Sequence, residues 1–273
     1  MAQQKEQKDI WSADLYGEKV APFVATSTEK VLEWLDPKPT GLANKTDEIL
    51  DIGSHVKRIV GVDGSPNMIQ HFKKAYPHIE SRVVDCQLLD QESDLTTGSF
   101  DKVFSNAALH LILRDPETRS NTIKGCFEAL KPGGLLINEF GTLGNVAEVH
   151  SAIISGLATQ SIPVEQARFN WVKGEVQLRQ TTLTEHENGG LEGWIRLFGE
   201  PFLELLPSTE ARDVAVKHAV DVLEAVGRQQ HDGSFTVNYI RLRFVAQKPE
   251  WCPLRSRESC ISTQFIISRA SQS

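Results

Sequence analysis

The sequence predicts an α/β protein built on a mainly parallel sheet, with helices on both faces and an antiparallel C-terminal strand. Two observations carry this prediction. Short apolar runs alternate with helical stretches between residues 48 and 158, which is the pattern of repeated strand–helix units. Farther along, residues 176–183 and 236–246 read as strands, and a turn signal at Asp232-Gly233 fits a closing hairpin.

The elements follow one another in a regular order. Strands are predicted at residues 48–52, 58–62, 81–84, 100–104 and 135–140 before the final pair. Helices are predicted at residues 11–35, 66–75, 118–130, 145–158, 191–206 and 208–226. Two prolines and a glycine within residues 36–41 end the first helix. After Pro249 no period is evident, so residues 250–273 are predicted to form an irregular tail.

Composition and charge narrow the class of partner. The 273 residues carry a net charge of −7, whereas nucleic-acid binders usually show a basic footprint. The first residues are polar and no apolar run approaches the ~18 residues of a membrane helix, so we expect neither a secretory signal nor a membrane partner. The four cysteines form no CxxC pair, which disfavours a metal site. We therefore expect a cytoplasmic protein with a small-molecule partner and no nucleic-acid or membrane partner.

Ligands of open α/β sheets bind outside the carboxyl ends of the strands, so the residue that ends each strand is informative. Asp63 ends the second strand, where a carboxylate can accept hydrogen bonds from both hydroxyls of a ribose. Ser65 can cap the next helix with Pro66 at its first position, and Met68 could lie against an adenine ring. The alternative is a plain turn at Asp63, with Met68 in the core.

Other strand ends supply further candidates. Asp51 and Gly53 follow the first strand. Asp85 ends the third strand and could accept a hydrogen bond from an adenine amino group, while the amide of Cys86 faces a ring nitrogen. Asn106 ends the fourth strand and could form the floor of the site. Each has a structural alternative, namely a surface aspartate or an ordinary turn.

The ordered set of motifs resembles the class I S-adenosylmethionine-dependent methyltransferases. The motifs are ILDIG at residues 49–53, VDGSPNM at 62–68 and LKPGGL at 130–135. More narrowly, GLEGWIRLF at 190–198 and YIRLRF at 239–244 are similar to the small-molecule group that includes trans-aconitate methyltransferase. This resemblance covers residues 11–249. It implies a Rossmann-like fold, S-adenosyl-L-methionine as cofactor and a small-molecule methyl acceptor.

The resemblance also implies a division of the chain and of its site. Residues 1–40 would form an N-terminal helical lid, and residues 41–249 a methyltransferase domain with a helical cap insertion around 185–226. Tyr16 in the lid and Trp194 in the cap would bind the substrate. The cofactor would be bound by Asp51, Gly53, Asp63, Met68, Asp85, Cys86 and Asn106.

Methyl transfer is an in-line displacement to which the protein mainly contributes proximity and orientation. A general base helps when the acceptor is a hydroxyl or an amine. His110 follows the fourth strand and is the preferred candidate, with a structural histidine as the alternative. His150 and Glu139 are weaker candidates. The cap residues Trp194, Ile195 and Phe198 could line an apolar acceptor pocket, or could simply be core.

The loop after the first strand departs from the family pattern. The family carries two or three glycines and a helix there, but only four residues separate Gly53 from Arg58. Asp51 and Asp63 are 63 − 51 = 12 residues apart, whereas such fingerprints place the acid about 20 residues on. The sequence therefore predicts that the glycine-rich loop is shortened and that the first crossover helix is largely missing.

The shortened loop leaves two structural outcomes and three functional ones. The link could run straight back between parallel strands, or the strands could form a hairpin that puts Asp51 and Asp63 at opposite ends. The hairpin would destroy the site geometry, and the parallel link would lose the backbone amides and helix N-terminus that meet the cofactor carboxylate, so either outcome predicts weakened cofactor binding. A methyltransferase is the leading hypothesis, and a degenerate, non-catalytic protein of the same fold is the alternative. A nicotinamide-dependent oxidoreductase ranks third, because no Gly-x-Gly-x-x-Gly run follows the first strand.

Overall fold

A computed structural model describes residues 48–50, 58–167, 177–183, 190–228, 235–250 and 266–269. The strands are β1 Glu48–Leu50, β2 Arg58–Asp63, β3 Glu80–Val83, β4 Phe100–Asn106, β5 Leu130–Gly141, β6 Gln177–Leu183, β7 Phe235–Gln247 and β8 Ile266–Arg269. The α-helices are α1 Pro66–Ala75, α2 Leu109–Ile112, α3 Arg119–Ala129, α4 Ala147–Thr159, α5 Gly190–Phe198, α6 Glu200–Leu203 and α7 Thr209–Gly227. Two 3₁₀ helices span Cys86–Gln91 and Val164–Ala167.

The strands form one mixed sheet. Its order is β3-β2-β1-β4-β5-β7-β6, and β8 also pairs with β7. Strands β1 to β5 run parallel, and β7 is antiparallel to β5, β6 and β8. The predicted α/β class and the antiparallel C-terminal strand are confirmed. The tail predicted to be irregular at residues 250–273 contains a strand, β8, which pairs with β7. No pattern in the tail sequence indicated this strand.

The pairing of β1 with β2 decides between the two outcomes for the short link. Glu48 pairs with Arg58 and Ile49 with Ile59 in parallel register, so the hairpin alternative is wrong. Seven residues, 51–57, connect the two strands, fewer than the dozen or more of an ordinary parallel crossover. These residues, including Asp51 and Gly53, lie outside the described ranges, as do Tyr16 and the predicted lid.

Local sequence explains the helix boundaries near the site. The Ser65 hydroxyl accepts a hydrogen bond from the Met68 amide at 3.1 Å, and Pro66 is the first residue of α1, which confirms the predicted cap. The single helix predicted at 191–206 is wrong, because the structure divides it into α5 and α6. Pro201 has no amide hydrogen to continue the helix that ends at Phe198.

Helices cover both faces of the sheet. Val103 and Leu136 pair across β4 and β5, and their face packs against Cys126 and Ala129 of α3. On β7, Tyr239 points to the opposite face, where it joins a core formed by α4, α5 and α7. We call residues 48–129 the N-terminal half and residues 130–269 the C-terminal half. Within the described ranges, no helix is both long and apolar enough to cross a membrane.

Candidate functional site

The carboxylate of Asp63 is fixed in a tight turn at the end of β2. Its Oδ1 accepts a hydrogen bond from the Ser65 amide at 2.7 Å, and its carbonyl accepts one from the Val84 amide at 2.9 Å. The turn foreseen as the alternative is therefore present. It does not exclude a ligand, because a carboxylate offers about four acceptor positions and can accept ligand hydrogen bonds beside the one from Ser65.

Asp85 and Cys86 begin the 3₁₀ helix beside that turn. Asp85 is exposed, and its Oδ1 accepts a hydrogen bond from the Gln87 amide at 3.0 Å, so it caps this helix. Burial first, and then the neighbouring Cys126, Asp63 and Asp85, raise the pKa of the Cys86 thiol to about 12. The ends of β2 and β3 lie side by side, because Asp63 pairs with Val83 in parallel register.

The end of β4 adopts a strained turn. Asn106 pairs with Glu139 across β4 and β5, and the next residue, Ala107, has a φ of 54°. The left-handed region costs a residue with a side chain about 1–2 kcal/mol. The Ala107 amide donates to the Glu139 carbonyl at 2.7 Å, which holds the turn in place. Asn106 is thus placed at the carboxyl edge of the sheet, where the sequence expected a cofactor floor.

His110 lies on α2, just past this turn, and is neutral. Burial, and then the charge of Arg241, lower the pKa of His110 from 6.5 to about 3. A neutral imidazole has the lone pair that a general base needs, but a pKa near 3 gives it little tendency to take a proton. The general-base role of His110 stays a prediction.

A buried ionic group occupies the sheet face next to His110. Glu139 on β5, together with Arg241 and Arg243 on β7, is more than nine-tenths buried. The Arg243 Nε donates a hydrogen bond to Glu139 Oε2, whereas the Arg241 Nε lies 3.9 Å from Glu139 Oε1. Three buried side chains thus carry one negative and two positive charges. Glu139, suggested as a weak base candidate, is committed to this ionic group.

An aromatic pair supports the ionic group from the cap side. The Trp194 Nε1 donates to the Tyr239 hydroxyl at 2.7 Å, and the Arg241 guanidinium lies 4.7 Å from the centroid of the Tyr239 ring. Trp194 is only 6% exposed, and Ile195 is fully buried in the same core. Their surroundings favour the core interpretation, and Trp194 reaches the candidate site through Tyr239. Its contact with substrate stays a prediction.

The remaining candidates are dispersed. Met68 is half-buried in the first turn of α1, close to Asp63 in sequence. His150 lies on α4 with its ring 5.2 Å from that of Phe202. In the part of the chain that the structure describes, no cluster of His, Cys, Asp and Glu could hold a metal ion. The structure therefore places Asp63, Asp85 and Asn106 along one sheet edge and leaves His150 in helix packing.

Sequence reasoning missed Arg241 and Arg243. Both lie in the apolar strand β7, at alternate positions that share one face of the sheet. A charged residue on a strand covered on both faces needs a buried partner, and Glu139 is the acidic residue within the apolar strand β5. An acidic residue in one long apolar strand and two arginines in another were therefore the sequence pattern that could have predicted the ionic group.

Comparison with known proteins finds relatives over most of this chain. A family model described as a methyltransferase domain matches residues 40–138. An uncharacterized methyltransferase of Schizosaccharomyces pombe is 30% identical over 88% of this chain and 99% of its own length. Erythromycin 3''-O-methyltransferase of Saccharopolyspora erythraea is 34% identical over 49% of this chain and 48% of its own length. A structure of Haemonchus contortus phosphoethanolamine N-methyltransferase 2 with phosphomonomethylethanolamine and S-adenosylhomocysteine aligns at a TM-score of 0.44 and 19% identity, covering 91% of this chain and 59% of that one.

Proposed function

This chain belongs to the S-adenosylmethionine-dependent methyltransferase family, and we propose that it transfers the cofactor's methyl group to a small organic molecule. The family membership rests on the fission-yeast relative, which aligns along 99% of its own length. The observation that carries the proposal for this chain is the convergence of Asp63, Asp85 and Cys86 at the carboxyl ends of β2 and β3.

The residues at this edge fit the adenosine part of the cofactor. The Asp63 carboxylate would accept hydrogen bonds from the ribose hydroxyls while its Oδ1 keeps the Ser65 amide. Met68, half-buried in the first turn of α1, would pack against the adenine ring. Asp85 and the Cys86 amide would meet the edge of the base, and Asn106 would lie below the methionine part. Asp51 and Gly53 retain their predicted cofactor roles as part of this proposal.

The cofactor supplies an electrophilic methyl group on a sulfonium, so the chain has to align an acceptor rather than activate a bond. The erythromycin enzyme methylates an oxygen of a small molecule, which supports a small acceptor here. His110 lies past the end of β4 as a neutral imidazole that could orient an acceptor hydroxyl or take its proton. Tyr16 and Trp194 remain the proposed substrate contacts from the lid and the cap.

A second candidate function is a non-catalytic protein of the same fold. The observation that favours it is the seven-residue connection between the parallel strands β1 and β2. A connection of that length leaves little chain for a glycine-rich loop and a helix, whose amides bind anionic groups in related sites. A chain of this kind would keep the fold and lose the cofactor.

Calorimetric titration with S-adenosylhomocysteine separates the two candidates. We expect micromolar binding by the wild-type protein and at least tenfold weaker binding by Asp63→Asn. The asparagine keeps an oxygen for the Ser65 amide but loses the charge that favours two ribose hydrogen bonds. Asp221→Asn is the matched control, because Asp221 pairs with Lys217 on the exposed surface of α7 in the other half of the chain and should bind normally.

A folded wild-type protein that shows no binding would overturn the enzymatic proposal and leave the non-catalytic one. Equal binding by wild-type protein and Asp63→Asn would show that the cofactor is held elsewhere.

A further inference from the structure

Arg241 is a largely buried cation whose guanidinium has no side-chain hydrogen bond to the residues that the structure describes. The residue is 7% exposed on β7, between β5 and β6. Its Nε is 3.9 Å from the Glu139 carboxylate, beyond the ~3.2 Å limit of an N–H···O bond. Within the described residues, its other contacts are the face of the Tyr239 ring and the electrostatic effect on His110. A guanidinium carries five N–H donors, and such a group is normally satisfied when buried.

The neighbouring charges leave a net positive charge around Arg241, although its Nε lies within ion-pair distance of Glu139 at 3.9 Å. Glu139 is hydrogen-bonded to Arg243 and carries the one negative charge of the buried ionic group. His110 contributes no charge at physiological pH, because burial lowers its pKa to about 3. Burying an unpaired charge is costly, so proteins keep one at a site when it meets an opposite charge during function.

We propose that Arg241 binds an oxyanion, a carboxylate or a phosphate group, on the methyl acceptor. This inference rests on the proposed function, because it assigns the acceptor's chemical class at the same site. A planar guanidinium matches both oxyanions through two parallel N–H···O bonds. The ring of Tyr239 covers one face of the guanidinium, and Trp194 fixes that ring through its hydroxyl. The edge with the N–H groups is thereby held in one orientation.

The position of Arg241 favours the acceptor over the cofactor as its partner. Strands β1, β4 and β5 separate β7 from β2, which ends in Asp63. At ~4.8 Å between neighbouring strands, four spacings place Arg241 roughly 19 Å across the sheet from the ribose-binding carboxylate. Asn106 at the end of β4 lies between them, two strand spacings from β7. A ligand that begins at β2 and reaches β4 leaves the β7 side for the molecule that receives the methyl group.

The test uses succinate and inorganic phosphate as probes and succinamide as the uncharged control. Each is titrated into the full-length protein with and without saturating S-adenosylhomocysteine. We expect succinate or phosphate to bind the wild-type protein with a millimolar Kd, and succinamide not to bind. Arg241→Gln should weaken that binding at least tenfold without changing the affinity for S-adenosylhomocysteine. Arg196→Gln, which removes an exposed guanidinium paired with Glu192 and Asp213, should change neither.

The two probes identify the source of the oxyanion. Tighter binding of succinate indicates an acceptor with a carboxylate, and tighter binding of phosphate indicates a phosphorylated acceptor. Arg241→Lys keeps the charge but loses the paired geometry, so it should bind the preferred probe with intermediate affinity if Arg241→Gln does not fold.

Two results would overturn the inference. One is a wild-type protein that binds S-adenosylhomocysteine and neither oxyanion, which leaves the proposed function intact. The other is a folded Arg241→Gln protein that loses S-adenosylhomocysteine, because Arg241 would then hold the cofactor carboxylate. A wild-type protein that binds an oxyanion through Arg241 but no S-adenosylhomocysteine would instead sink the proposed function, and with it the assignment of the oxyanion to a methyl acceptor.

Discussion

The two halves of the molecule place their polar groups in different ways. In the N-terminal half, Asp63 and Asp85 are partly or fully exposed and bind backbone amides two residues ahead of them. In the C-terminal half, Glu139 is buried and meets Arg243, a residue 104 positions away. The first arrangement is made by local turns and the second by tertiary structure. Ligand binding at the first should therefore be easy to alter without unfolding the protein, whereas changes at the second should affect stability strongly.

Glu139→Gln tests this contrast with the largest expected effect. Removing the carboxylate leaves two buried guanidinium groups without an opposite charge, so we expect the free energy of unfolding to fall by about 3–5 kcal/mol. Urea denaturation of the purified variant measures it. The matched control is Glu192→Gln, whose exposed pair with Arg196 should contribute less than ~0.5 kcal/mol. If the two variants lost similar amounts of unfolding free energy, the buried ionic group would contribute no more to stability than an exposed ion pair.

Two glycines provide a comparison of packing between the halves. A Cβ added to Gly125 of α3 would lie 2.7 Å from the backbone of Leu89 in the 3₁₀ helix, and one added to Gly156 of α4 would collide with the carbonyl of Ala215 in α7. Overpacking typically costs about 1–3 kcal/mol, against ~1 kcal/mol gained in helix propensity. We expect both alanine variants to be destabilised by about 1 kcal/mol or more in thermal unfolding.

The two glycine variants should differ in ligand binding. Gly125→Ala displaces the helix that begins at Cys86, so its affinity for S-adenosylhomocysteine should fall several-fold. Gly156→Ala should keep that affinity, since α4 and α7 pack in the other half. If Gly156→Ala weakened the binding of S-adenosylhomocysteine and Gly125→Ala did not, the cofactor would be bound in the C-terminal half.

The low pKa of His110 predicts how the free energy of unfolding depends on pH. Its pKa is about 3 in the folded protein and 6.5 ordinarily, so below pH 6.5 the unfolded chain binds a proton that the folded chain does not. The stabilisation is complete above pH 6.5 and is lost progressively as the pH falls towards 3. At pH 5.5 the loss should be about 1.4 kcal/mol relative to pH 7.5, and His110→Asn should lack this part of the pH dependence. Urea titrations at the two pH values test it, and an unchanged slope in the variant would contradict the burial of a neutral imidazole.

Asn138 carries the smallest expected effect and the opposite sign. It neighbours Glu139 on β5 but faces the other side of the sheet, fully buried, and within the described residues neither atom of its amide has a hydrogen-bond partner. Asn138→Leu is close in volume and removes two unsatisfied polar atoms, so we expect about 1 kcal/mol of added stability. A higher midpoint of thermal unfolding would support this, and a lower one would show that the amide stabilises the folded protein.

Much of the N-terminal half could be predicted from sequence because its signals are local. Ser65 and Pro66 mark the start of α1, and Asp63 follows a short apolar run, so the turn is visible within a few residues. The break between α5 and α6 was missed although Pro201 signals it locally, because the apolar period continues through it.

The buried ionic group could not be predicted from local sequence signals. Which face of β7 carries Arg241 follows from alternation, but its neighbour Glu139 depends on the register of β5 against β7. That register is set by tertiary packing across about a hundred residues of chain. The seven-residue link to β2 illustrates the same limit, because sequence allowed both a hairpin and a parallel connection, and only the pairing of β1 with β2 chose between them.

We propose above all that a cofactor site forms at the ends of β2, β3 and β4 in spite of the short link after β1. A crystal structure of the protein grown with S-adenosylhomocysteine tests it most directly. We expect ribose hydroxyls within hydrogen-bonding distance of the Asp63 carboxylate, the adenine beside Met68 and the sulfur on the Asn106 side of the sheet. S-adenosylhomocysteine that is absent at saturating concentration, or bound away from Asp63, would contradict the claim.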